Sequence, residues 1–220
     1  MTHRFYLNDD WLFTEQFEDS LAAPEYPENT LQPVRLPHTC KETPFHYFDE
    51  SLYQMVSGYR RHLLIPKDWQ GKQILLTFEG AAHDSTVFCN GKKVGEHHCG
   101  YTAFTVDLTD NVLYGQDNLL CVRLDSRENL NVPPFGYVID YMTYGGIYRD
   151  VRLEVKEKVS LSDIFVHTAI DFSSSPVTAQ ITSEITLTES AENVTIRQYY
   201  MPKNTAAAQE SCAAAVFFGM

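Results

Sequence analysis

No CxxC pair joins the five cysteines, Cys40, Cys89, Cys99, Cys121 and Cys212, and their number is odd. Both features argue against a disulfide scaffold and for reduced thiols that fill a core. Cationic residues are also scarce: 17 Lys and Arg stand against 29 Asp and Glu, a formal net charge of −12. An acidic surface repels phosphate backbones and anionic lipid, so neither nucleic acid nor a membrane surface is an expected partner. No apolar run approaches the length of a membrane span. Met1-Thr2-His3-Arg4-Phe5 is not a basic segment leading into an apolar one, so no secretory leader is expected and the expected address is the cytoplasm. In that setting the sequon Asn193-Val194-Thr195 is an accidental match. GxGxxG, P-loop and GxSxG patterns are missing. His97-His98-Cys99 cannot wrap a tetrahedral ion alone, and no second cluster has ligand spacing, so no structural zinc is expected. Helical periodicity is lacking as well: no segment of ten or more residues repeats its apolar positions every 3.6 residues.

What remains is strand-forming material. Apolar residues make up 44% of the 220-residue chain, enough to bury a sizeable core, and the 13 Tyr and 13 Phe favour strands. Residues 1–50 read as loop-rich, with Pro24, Pro27, Pro33, Pro37 and Pro44 breaking any long helix. Beyond them, strands are expected over 59–65, 73–78, 86–89, 104–108, 118–124 and 150–155. Asp68-Trp69-Gln70-Gly71 reads as a turn. Asn90-Gly91 between two apolar runs is a strong hairpin signal, because a type I′ turn needs positive φ at both central positions. In the last strand Val151, Leu153 and Val155 alternate with Arg152, Glu154 and Lys156, which predicts one buried and one wet face. Many short strands at this spacing predict an all-β fold, a jelly-roll β-sandwich over 1–157. A second unit, 158–220, has strand patterns over 160–166, 177–187 and 194–200, fewer than a complete immunoglobulin-like sandwich needs. It is expected to be a partial one, with an Ala-rich end that reads as cut off rather than finished.

Three stretches resemble the sugar-binding domain of family 2 glycoside hydrolases, which include β-galactosidases, β-glucuronidases and β-mannosidases. The first is Leu36-Pro37-His38-Thr39 with the following Pro44-Phe45-His46-Tyr47-Phe48-Asp49-Glu50. The second runs from Phe78-Glu79-Gly80 through Asn90-Gly91-Lys92-Lys93-Val94-Gly95 to Phe104-Thr105-Val106-Asp107-Leu108-Thr109. The third, the most specific, is Asp140-Tyr141-Met142-Thr143-Tyr144-Gly145-Gly146-Ile147-Tyr148-Arg149-Asp150-Val151. Without the family, this third stretch still reads as the exit of a long loop: Gly145 and Gly146 permit a tight path, and Arg149 can fork onto a carboxylate or loop carbonyls. Long ordered loops on a rigid sandwich are where sites tend to sit.

The resemblance implies that this domain abuts the mouth of a catalytic (β/α)₈ barrel of the same protein. An aspartate of the long loop, here Asp140, then reaches the non-reducing sugar and in some members a sodium ion. His46 is a second candidate for sugar contact, at a position where relatives often carry Asn. The retaining mechanism needs two carboxyl groups about 5–5.5 Å apart. In the family both are barrel glutamates, and a barrel alone takes about 250 residues. No catalytic residue is therefore expected in this chain, and the chain alone is expected to be inactive. Asp9-Asp10 and Asp49-Glu50 are read as solvated loop acids, because neighbours on a strand point to opposite faces. The expected function is thus the carbohydrate-binding portion of an O-glycoside hydrolase, best matched to a β-galactosidase of carbohydrate metabolism. It implies a β-linked sugar substrate, no required cofactor, a sodium or magnesium ion in the full-length enzyme, and a homo-oligomer. A stand-alone carbohydrate-binding module is the alternative, and a role in subunit contact is compatible with either. The choice among galactose, glucuronate and mannose is left to the barrel.

Overall fold

The computed structural model describes residues 3–42, 46, 49–133, 135–136, 143–191, 194–200 and 209–211. Among the described residues there are fourteen strands, four short 3-10 turns and no α-helix. They fall into two compact units, Met1–Glu157 and Lys158–Met220.

In the first unit, alternation of apolar and polar residues builds two antiparallel sheets that face each other. The four-stranded sheet runs β1 (His3–Tyr6), β10 (Val151–Lys156), β5 (Gln73–Phe78) and β8 (Phe104–Asp107). The six-stranded sheet runs β3 (Gln32–Val34), β2 (Trp11–Thr14), β4 (Val56–Ile65), β9 (Gln116–Asp125), β6 (Asp84–Cys89) and β7 (Lys92–His98). Non-sequential neighbours such as β10 beside β5 give the crossed connections of a jelly-roll β-sandwich. Between the sheets, Ile74, Leu76, Phe78, Val151, Leu153 and Val155 meet Trp11, Phe13, Tyr59, Ile65, Val87, Leu120, Val122 and Leu124. Every one of these is a period-two position on its strand, as burial of one sheet face requires. Asn90 (φ 50°) and Gly91 (φ 79°) make the expected turn between β6 and β7.

Three local expectations need correction. Residues 1–50 are not merely irregular: β1, β2 and β3 lie there. They are only four, four and three residues long, too short to show a period, and Pro33 is tolerated because β3 lies at a sheet edge. The outward face of β10 is not simply wet. Glu154 is only 6% exposed, because the long side chains of Arg4, Arg152 and Lys156 close over it with oxygens at 2.6–3.5 Å. Burial pushes the Glu154 carboxyl up, but the bonds from Lys156 and Arg4 outweigh it and hold it below the usual range. In the second unit, strand structure within 194–200 is confined to β13 (Gln198–Tyr200), paired with β14 (Gln209–Ser211).

The second unit is otherwise a long antiparallel hairpin, β11 (Leu161–Asp171) with β12 (Thr178–Leu187). Its register places Ile164 opposite Ile185, Thr168 opposite Ile181 and Ile170 opposite Ala179, so one face is apolar. Phe165 opposite Glu184 and His167 opposite Thr182 alternate onto the other.

Candidate functional site

Of the two candidate sugar contacts, His46 is among the described residues. Asp140 falls outside them. His46 is exposed, while residues 43–45 and 47–48 beside it are not described. What the structure does describe is how the two loops are rooted.

The exit of the long loop is tied by its own backbone. Cys40 N–H donates to the Gly145 carbonyl at 2.9 Å, and Thr39 Oγ1 donates to the same oxygen at 3.3 Å. His38 N–H donates to the Ile147 carbonyl at 2.9 Å, and Ala82 N–H to the Gly146 carbonyl at 3.0 Å. Gly146, at φ +126°, is clasped between Leu36–Cys40 chain on one side and Ala82 on the other. A Cβ there would lie 2.3 Å from the His38 carbonyl oxygen. At Gly145 it would lie 2.5 Å from Ser126 Cβ and 2.7 Å from Cys40 Sγ. These two glycines are what the close backbone approach requires. The three stretches singled out in the sequence therefore converge: 36–40, 79–82 and 145–151 form one knot.

The other root is held by Ser126, just past β9. Its N–H donates to the Met55 carbonyl at 2.9 Å and its hydroxyl donates to the Tyr53 carbonyl. Glu128 N–H donates to Gln54 Oε1 at 2.8 Å. Tyr53 packs edge-on against Tyr144, with ring centroids 5.4 Å apart. The chain on either side of the long loop, and the chain following His46, are thus fastened to each other at their bases. A small cleft of about 270 Å³ opens at this root, lined by Asp84, Asp125, Arg127, Glu128, Asn129 and Val132.

Electrostatically the knot is neutral inside. Burial pushes the Cys40 thiol up to about 11 and the Tyr59 phenol far above its usual value. Burial also lowers the His38 imidazole, whose Nδ1 shares a hydrogen bond of 2.9 Å with Tyr59 Oη. His83, buried beside Gly100, is lowered for the same reason. The acids around the knot are engaged structurally. Asp125 binds Arg127 through both oxygens at 2.8 and 2.6 Å. Burial alone would push Asp125 up, but the Arg127 bonds hold it below the usual carboxylate range. Asp150 accepts from Asn8 Nδ2 at 2.9 Å, and Glu79 pairs with Arg152. Arg149 takes the loop carbonyls of Glu79 and Tyr101 rather than a carboxylate, and lies over the Tyr148 ring.

Other motifs resolve locally. His97 stacks on Phe104 at 4.5 Å and bonds Thr102, whereas His98 bonds Asp84 at 3.0 Å, so the neighbouring rings are directed to different partners. Asp49 is an exposed cap that accepts from Ser51 N–H, and Asp9 is an exposed partner of Arg35. Sequence reasoning did not single out Tyr53, Gln54, Tyr59 or Ser126. A lone Ser or Gln in a loop carries no pattern, and only its position in space reveals its role.

The model of the sugar-binding domain of glycosyl hydrolases family 2 matches residues 7–157. The chain belongs to this family. Its sandwich is the family 2 sugar-binding domain, and the knot lies within the matched residues. The β-galactosidase of Thermoanaerobacter pseudethanolicus is 39% identical over 159 residues, 72% of this chain and 21% of that protein. The β-glucuronidase of Bacteroides fragilis is 34% identical over 158 residues, again 72% of this chain and 21% of its own length. Among solved structures, a calcium-binding mutant of Bacteroides uniformis β-glucuronidase 2 is 29% identical, with a TM-score of 0.68 over 76% of this chain and 20% of that one. The chain spans about a fifth of the length of the curated relatives it matches.

Proposed function

We propose that this chain is the sugar-contacting portion of a longer family 2 glycosidase, a β-galactosidase, in which Asp140 orients the non-reducing sugar for a catalytic barrel. The 39% identity to a β-galactosidase supports that substrate over the others. The glycine knot supports the role of the loop: a carboxylate can orient a ring only if its loop is pinned at the base. A β-glucuronidase is the second reading, favoured by the 34% identity to the Bacteroides fragilis enzyme. A stand-alone binding module is less favoured, because the relatives named above are glycosidases several times longer. His46, exposed and close to the rooted segment 49–55, is proposed as a secondary contact.

A sodium or magnesium ion beside Asp140, homo-oligomerisation of the full-length enzyme and a cytoplasmic address complete the proposal. Among the described residues no group of three or more His, Cys, Asp or Glu is placed to hold a metal. The test is hydrolysis of nitrophenyl β-galactoside and β-glucuronide by the full-length protein. Preference for the galactoside supports the reading; preference for the glucuronide replaces the substrate; inactivity on every aryl glycoside removes the enzyme role.

A further inference from the structure

The outer face of the six-stranded sheet is covered by residues 17–31, which carry the turns Asp19–Ala22 and Glu28–Thr30. Leu21, Ala22 and Leu31 pack on Cys121 in a small second core, ringed by Leu12, Phe17, Tyr26 and Phe88. Two side chains of β4 fasten this strap. Arg60, 1% exposed, donates to the carbonyls of Leu21, Ala23 and Pro24 and to the Glu28 carboxylate at 2.6 Å. Two positions on, on the same face of the strand, His62 Nε2 lies 2.9 Å from the same Glu28 oxygen. Its Nδ1 faces the carboxylate of Asp117 on β9. A neutral imidazole has a single N–H. Carboxylates at both ring nitrogens are satisfied together only by the imidazolium, which donates from both.

We propose that the strap is fastened in a pH-dependent way: His62, as imidazolium, bridges Glu28 of the strap to Asp117 of the sheet, and losing its proton loosens the strap. This is independent of the glycosidase reading. The remaining charges near His62 agree with it. Asp10 and Arg35 share a cleft with His62, and Arg35 is taken by Asp9 at 2.8 Å. Arg61 donates to the Asp9 and His62 carbonyls, and Glu18 on the strap accepts from Tyr26 Oη at 3.0 Å. Burial pushes the imidazole down, but the bonds to Asp117 and Glu28 outweigh it and raise it above its usual value. Burial likewise pushes Glu28 up, and its bonds from Arg60 and His62 bring it below the usual range. The sign follows. The His62 contribution is complete below the ordinary imidazole value and is lost as pH rises through the raised folded value. The Glu28 contribution is lost only as pH falls through its own lowered value, so the bridge is closed between the two.

The test is amide hydrogen exchange of residues 18–31 in the 220-residue chain, corrected for intrinsic rates, between about pH 6 and about pH 9. Because His62 is half-exposed, the expected effect is modest: a stepwise rise of about two- to fivefold in strap exchange. His62→Gln abolishes the step. Asp117→Asn leaves Glu28 as the one carboxylate on the ring and moves the step to lower pH. A flat wild-type profile overturns the proposal, as does a step that persists unchanged in His62→Gln. Exchange of β5 and β10 amides reports whether either variant has lost the fold; a step that stays at the wild-type pH in Asp117→Asn also overturns the proposal.

Discussion

Replacing Gly146 with Ala tests whether the knot, rather than generic packing, holds the root of the long loop. Two costs arise at once. The backbone at φ +126° is a region essentially reserved for glycine, and placing an L-residue there costs about 1–3 kcal/mol. The new methyl would also lie 2.3 Å from the His38 carbonyl oxygen, 3.0 Å from Cys40 N and 3.0 Å from Thr39 Cα. All three are backbone atoms, so no rotamer change relieves the contact. The 36–40 segment must move, straining the bonds from His38 to Ile147 and from Cys40 to Gly145, at a further cost of roughly 1–3 kcal/mol. The sum, about 4 kcal/mol, is a large part of the ~5–15 kcal/mol that holds a domain. It corresponds to a midpoint lowered by roughly 8–16 °C for a unit of this size. Gly71→Ala separates the two terms: Gly71 has φ +89° with nothing within 4 Å of an added Cβ, so only the conformational cost applies. Urea unfolding followed by tryptophan fluorescence reads the first unit, since both tryptophans, Trp11 and Trp69, lie in it. If Gly146→Ala is no more destabilising than Gly71→Ala, the backbone clasp is not a tight constraint and the account of the knot is wrong.

Further outcomes are expected. In the full-length enzyme, Asp140→Asn should lower kcat/KM at least about tenfold, ~1.4 kcal/mol of transition-state stabilisation, with the thermal midpoint unchanged; normal efficiency with a lowered midpoint makes Asp140 a structural residue instead. The 220-residue chain alone should release no nitrophenol from aryl glycosides and should bind free galactose at about millimolar affinity or weaker in calorimetry, because half a site buries little ligand. Glu154→Gln should cost about 1–3 kcal/mol at neutral pH by leaving three cations around an uncharged amide. Because the Glu154 carboxyl is held low in the fold, that difference should shrink as pH falls through its folded value, which acid titration of both proteins checks. Among the described thiols, Cys99, held below its usual value by bonds from Thr102 and Tyr101 that outweigh its partial burial, should react with a maleimide before buried Cys40, Cys89 and Cys121; peptide mapping that finds Cys121 labelled first contradicts the burial of the second core.

Much of this protein is determined by local pattern. Alternation of apolar and polar residues over 151–156 makes a strand because a sheet with one inward face demands period two. Asn90-Gly91 makes its hairpin because few other pairs reach positive φ twice. The family, too, is legible in Gly145-Gly146-Ile147-Tyr148-Arg149-Asp150, since a close backbone approach leaves a mark that only glycine can satisfy. Tertiary structure decided the rest. Short β1 to β3 carry too few residues to show a period. Ser126, Gln54 and Tyr53 gained their roles from meeting across 70 or more residues of chain. Glu154, polar by type and outward by register, became buried because three long cationic side chains from two strands fold over it. His62 meets Glu28 and Asp117, 34 and 55 residues away, only because β4 pairs with β9 beneath the strap. A residue's type and spacing report the backbone it prefers, whereas its partner and charge state depend on which distant segments the two sheets bring against it.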